Sequence, residues 1–173
     1  VKREEVTKFL SKLDQVQRKI LRTYGLRFGR YHIFLFKLFK PNAVKLRILL
    51  WKNFHQKFFE FNPPTFGLNF VEKTERVDKK FMLLCGFEYF EKYFVRIDIL
   101  ERLFIKIMDT VDENTKEIKL VPEMLNLLGC NKENFLYLIK KMNYKTFERD
   151  NNTYFKYTPK KINKNNKSKN VNK

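Results

Sequence analysis

The chain has 173 residues, 43% of them hydrophobic and 16% aromatic, which is enough for one core of ordinary size or two small ones. Its formal charge is +18, from 37 Lys and Arg against 19 Asp and Glu; part of this goes with a general Lys, Asn, Phe and Ile bias, but such an excess favours polyanionic partners. Cys85 and Cys130 make no CxxC, His32 and His55 stand apart, and no apolar run approaches the roughly 18 residues of a membrane span, so zinc fingers, disulfide frameworks and membrane helices are excluded.

The first residues, with Lys2, Arg3, Glu4 and Glu5, do not read as a secretory signal, and a cytoplasmic setting is expected. Residues 4–24 predict one amphipathic helix. Val6, Phe9, Leu10, Leu13, Val16, Ile20, Leu21 and Tyr24 form a stripe expected to face the core, with Lys8, Lys12, Lys19 and Arg22 opposite and Gly25 as the stop. Because the chain opens almost directly into this helix, it is expected to be the C-terminal piece of a longer protein. Between Gly25 and Phe36 two glycines flank an Arg-Phe pair before aromatic and β-branched residues take over, which predicts a turn and then a strand at about 30–38. Pro41 opens a helix over 42–58, whose apolar residues spread around the circumference and predict burial on more than one side.

Asn62-Pro63-Pro64-Thr65-Phe66-Gly67 breaks regular structure and closes a first subdomain, 1–66. A connecting segment, 67–93, carries a helical pattern over 72–84 and an extended aromatic run over 85–95. From 94 to 158 the pattern changes. A long amphipathic segment opens at Asp98, followed by a β-prone run at 116–121 and a helix at 122–128. Gly129-Cys130 makes a turn before a helix at 131–142, and β-prone runs at 144–148 and 153–158 flank Arg149-Asp150-Asn151-Asn152. That order reads as a winged helix, a nucleic-acid-reading module. Asp98 is expected to cap the long helix, with Glu101 completing a capping box and Arg102 pairing at i,i+4. A phosphate-holding role for Arg96 or Arg102 is the second reading. The tail, 159–173, has six lysines, five asparagines and no acid, and predicts disorder; its +6 leaves +12 of the +18 for the rest. The fold class expected is α+β, mainly helical, with a helical and strand subdomain, a winged-helix-like domain and a disordered basic tail.

Catalytic motifs are missing. None of the five glycines precedes a Lys-Ser or Lys-Thr, no GxSxG occurs, and Asp112-Glu113-Asn114 reads as a solvated turn. No catalytic, cofactor-binding or metal-binding residue is assigned in this chain. Binding residues are a different matter. On the 131–142 helix Phe135, Leu138, Ile139 and Met142 form the inward stripe, while Glu133, Tyr137, Lys140, Lys141 and Tyr144 share the other face. Lysines with tyrosines suit phosphate contact and stacking on unpaired bases, and without an Arg or Gln fork the binding is expected to be weakly sequence-selective. The wing adds Lys145, Arg149 and Lys156. Upstream, Arg27, Arg30, His32, Lys37, Lys40, Lys45 and Arg47 alternate with aromatics, either lining a single-strand path or standing solvated beside a buried aromatic face.

Several runs are familiar as a set. Arg27-Phe28-Gly29-Arg30-Tyr31-His32-Ile33-Phe34-Leu35, Lys40-Pro41 and Leu49-Leu50-Trp51 resemble the C-terminal region of a family of bacterial superfamily 2 helicases related to the mitochondrial degradosome RNA helicase. The resemblance continues through Pro63-Pro64, Gly67-Leu68, Gly86-Phe87, the run from Arg96 to Leu103, Met124, Leu127-Leu128-Gly129-Cys130 and Met142-Asn143-Tyr144. It implies a parent ATP-dependent helicase whose two RecA-like motor domains lie upstream and use ATP and magnesium, with this chain as the accessory region along the nucleic-acid channel. Single-stranded RNA is the favoured partner, with no membrane. The rival readings are a stand-alone winged-helix DNA-binding regulator and a structural module for protein contacts.

Overall fold

The single helix expected at 4–24 divides in two. In the structure, a computed structural model that describes residues 1–56, 62–74 and 77–159, a 3-10 turn Glu4–Val6 runs into α1 (Thr7–Leu10), and α2 (Gln15–Thr23) starts afresh. The break has a local cause. Asp14 accepts from the Gln17 backbone N–H at 2.7 Å while the Gln17 side chain accepts from the Asp14 N–H at 3.1 Å, a reciprocal box that needs an extended Asp14. The stripe is a further correction: Phe9, Val16, Ile20 and Tyr24 are all exposed rather than turned toward a core of this chain.

Gly25, at φ +91°, turns the chain into a hairpin of β1 (Leu26–Phe28) and β2 (Ile33–Leu35), with Leu26 opposite Leu35. The strand expected at 30–38 is therefore shorter, giving way to a 3-10 turn Phe36–Phe39 ahead of Pro41. Pro41 occupies the first turn of α3 (Pro41–His55), where its missing N–H costs no hydrogen bond. Burial on more than one side does not hold: Val44 and Ile48 are buried, but Leu46, Leu49, Leu50 and Phe54 are exposed. The expected end of that helix at 58 and the tail from 160 lie outside the described residues.

The helix expected at 72–84 is shorter as well. Phe70 and Val71 pair with Val95 and Phe94, so β3 (Phe70–Glu72) is a strand, and α4 (Lys79–Leu84) begins where Asp78 caps it by accepting from the Lys80 and Phe81 N–H groups. The aromatic run resolves into a hairpin, β4 (Phe87–Phe90) and β5 (Tyr93–Arg96), and β5 is central in the order β3-β5-β4. Successive side chains of β5 leave opposite faces. Phe94 enters a core with Val44, Ile48, Phe81 and Phe87, while Val95 enters the other with α5 (Ile97–Asp109). One strand thus walls two cores.

The remainder follows the expected order. β6 (Ile118–Lys119), α6 (Pro122–Leu128), α7 (Lys132–Lys141), β7 (Tyr144–Arg149) and β8 (Asn152–Tyr157) form a helical layer and an antiparallel sheet ordered β6-β8-β7. Gly129, at φ +70°, ends α6, and Asn131 caps α7 by accepting from the Asn134 N–H. Asp150 and Asn151, both at positive φ, make the tight β7–β8 turn. Met124, Leu128, Phe135, Leu138, Ile139 and Phe155 are fully buried between the layers. The protein is thus a mixed helix-and-strand fold with small antiparallel sheets, and among the described residues no helix is long and apolar enough to cross a membrane.

Candidate functional site

The capping box expected at the start of α5 is absent, and its two carboxylates do other work. Asp98 receives the Arg96 guanidinium through Nε at 3.0 Å and Nη2 at 2.6 Å. Glu101, 6% exposed, accepts three backbone N–H bonds from the loop at 29–32: Arg30 at 2.5 Å, Tyr31 at 2.8 Å and His32 at 2.7 Å. A loop wrapped so tightly has no room for a side chain at position 29. A Cβ on Gly29 would fall 2.3 Å from the Glu101 carboxyl carbon and 2.7 Å from the His32 carbonyl oxygen.

His32 is buried beneath the same loop. Its Nε2 lies 2.9 Å from Glu88 Oε2 and its Nδ1 3.4 Å from Glu101 Oε1, while Lys2 reaches Glu88 at 3.1 Å. Burial works against the imidazolium, but the Glu101 carboxylate beside Nδ1 and the Glu88 carboxylate bonded to Nε2 outweigh it and raise the His32 pKa. Burial likewise opposes the Glu88 carboxylate, and the bonds from His32 and Lys2 overcome it, so its pKa is lowered. The loop, α5, β4 and the N-terminal segment are joined through one buried charge network.

Held this way, Arg30 borders a groove of about 620 Å³ between the β1–β2 hairpin and α5. Arg3, Arg22, Arg27 and Arg102 converge on the same groove from four other positions in the fold. Arg3 donates to the Gly29 carbonyl at 2.7 Å, Arg22 lies over the Phe28 ring at 5.4 Å and Arg30 over Phe104 at 5.8 Å. Stacked guanidiniums keep their in-plane donors free for an oxyanion. Among the described residues, no carboxylate forms an ion pair with Arg22, Arg27, Arg30 or Arg102. Such a groove can bind phosphate through forks and an aromatic ring through its phenylalanine walls.

The other anticipated residues fare differently. Lys37 is exposed on the 3-10 turn, away from these contacts, and His32 is only 2% exposed, a network residue rather than a surface one. Arg47 is half-buried, donating to the Leu38 and Leu84 carbonyls, and burial lowers its pKa. On α7, Tyr137 donates to Glu91 at 2.8 Å and Lys141 pairs with the same carboxylate at 2.5 Å. Tyr144 does not share that face: it is buried, edge-on to Phe155. Arg149 pairs with Glu117 at 3.0 Å and lies over Tyr154. Lys140 is exposed, as are Lys145 and Lys156, which face each other across β7 and β8. Of the anticipated cations on α7, β7 and β8, those without a carboxylate partner among the described residues are thus lysines, Lys140, Lys145 and Lys156, and the concentrated ones are arginines in the groove. Arg3 carried no sequence signal as a site residue, because the Gly29 carbonyl that holds it is 26 positions away, and Arg22 read only as one cation on the polar side of a helix.

Neither a protein-family model, nor a curated protein, nor a solved structure matches the chain.

Proposed function

We propose that this chain is the C-terminal accessory region of an ATP-dependent helicase and that it contacts single-stranded nucleic acid, RNA in preference to DNA. The observation that carries the binding part is the groove, where arginines from five positions meet phenylalanine rings and outnumber the two lining carboxylates, Asp98 and Glu101. The order α5, β6, α6, α7, β7, β8 supports reading residues 94–158 as a winged helix, with the β7–β8 hairpin as its wing. ATP and magnesium belong, on this reading, to motor domains of the same polypeptide, as the sequence resemblance implies. The exposed apolar residues of α2 and α3 then serve as the surface those domains cover. A stand-alone DNA-binding regulator is less well supported, since α7 offers Lys140 and an engaged Tyr137 in place of base-reading forks.

The test is anisotropy of a labelled single-stranded RNA titrated with the full chain over a series of salt concentrations. Phosphate-dominated binding gives a linear fall of log K with log salt, with a slope of about −0.7 per phosphate contacted. Charge reversal at Arg27 and Arg102 should remove most of the affinity. A salt-independent affinity, or full binding by the reversed variant, would overturn the proposal.

A further inference from the structure

The groove holds more positive charge than a passing strand calls for. A single strand brings one phosphate charge per nucleotide, whereas five arginines border one space of about 620 Å³, a size that encloses a small ligand. The two carboxylates in its lining do not balance them: Asp98 is engaged by Arg96, and Glu101, turned onto three backbone N–H groups, offsets at most one of the five. Two of the guanidiniums are already set against rings, so they meet a ligand pre-oriented. Phe36 and Ile105, both exposed, add apolar wall to the same space.

Resting on the nucleic-acid reading above, we infer that the groove is a pocket for a nucleotide bearing clustered phosphates, either free or as the 5′ end of an RNA strand. The phosphates sit among Arg27, Arg30 and Arg102, where forked donors bind a multiply charged group two oxygens at a time. The base lies against the phenylalanine wall, where face-on contact is tolerant of sequence. The inference concerns binding alone; no bond is broken. An acidic peptide would satisfy the charge but leave the rings without a planar partner.

Three RNAs of one sequence, labelled at the 3′ end and carrying a 5′ hydroxyl, monophosphate or triphosphate, would be titrated with the full chain. Affinity should rise in that order, by roughly tenfold or more from first to last, since each added oxyanion accepts charge-assisted bonds. The paired substitutions Arg27→Gln and Arg102→Gln, with circular dichroism as the check on folding, should level the three RNAs while leaving weaker binding through Lys140, Lys145 and Lys156. A single Arg27→Lys should keep charge but lose the fork, giving a smaller preference. A free nucleoside triphosphate that displaces the triphosphate RNA at matching concentration identifies the free nucleotide as the source; displacement only at great excess identifies the strand end. Equal affinity for all three ends overturns the inference while leaving nucleic-acid binding in place. Displacement by polyglutamate as readily as by the nucleotide overturns it too. Failure to bind any of the RNAs would instead remove the underlying functional reading.

Discussion

Replacing Glu101 by Gln keeps the shape of the side chain and removes one acceptor from the centre of the site. Oε1 accepts from Tyr31 and His32 and Oε2 from Arg30. An amide that keeps its oxygen toward Tyr31 and His32 sets its NH2 against the Arg30 N–H, donor to donor; turned the other way, it forfeits two bonds instead of one. At 6% exposure little water can make up the deficit. A hydrogen bond to a charged group contributes about 1.5–3 kcal/mol, and the two surviving bonds weaken when their acceptor is neutral. Relief from burying a charge returns part of this, leaving a net loss of about 2–4 kcal/mol. That is a large share of the roughly 5–15 kcal/mol by which a domain is stable. Urea denaturation followed by far-UV circular dichroism measures it. A Glu101→Gln protein within about 0.5 kcal/mol of the parent would refute the view that this carboxylate organises the loop.

Gly29→Ala should cost about 2 kcal/mol or more, because the new methyl meets Glu101 and the His32 carbonyl well inside contact distance; in a Glu101→Ala background the cost should shrink, and a double-mutant cycle reads the difference. The raised His32 pKa means that the imidazolium stabilises the fold below the ordinary histidine value of 6.5 and that this contribution is lost as pH rises through the raised value. The lowered Glu88 pKa works the other way, its contribution present above 4.5 and lost as pH falls through the lowered value. Urea midpoints should therefore decline from pH 6.5 upward in the parent, and a His32→Gln variant should lack that decline. Phe155→Ala should remove about 3–5 kcal/mol, since this fully buried ring meets Phe135 and Tyr144 edge-on, and a smaller loss in calorimetry would mean that the β6-β8-β7 sheet packs otherwise.

From residue 97 onward the order of elements was legible because its signals are local, whereas the roles of Asp98, Glu101 and Tyr144 were not, being set by contacts outside that pattern. Pro122 at a helix start, Gly129 in the left-handed region, the Asn131 cap and the Asp150-Asn151 turn each act within a few residues. Upstream, the interruption of the first helix is also local, a box formed by Asp14 and Gln17 that competes with the continuous apolar stripe. The strand at 70–72, which takes Glu72 from the expected helix, depends on a remote partner, since pairing with β5 holds that short run extended. Periodicity also told which residues share a face, but not whether that face meets a core. Phe9 and Val16 are as regular as Leu103 and Ile107, yet only the latter are buried.

Sequence alone therefore determined the charge, the mixed helix-and-strand class, the element order of the C-terminal half and the presence of Arg27 and Arg30 beside a glycine turn. Tertiary structure decided which cations remain available. It drew His32 inward between two carboxylates, occupied Lys141 and Arg149 with Glu91 and Glu117, and brought Arg3, Arg22 and Arg102 to Arg27 and Arg30. The physical reason is that an ion's availability depends on what lies within a few ångströms of it, and those neighbours come from remote parts of the chain.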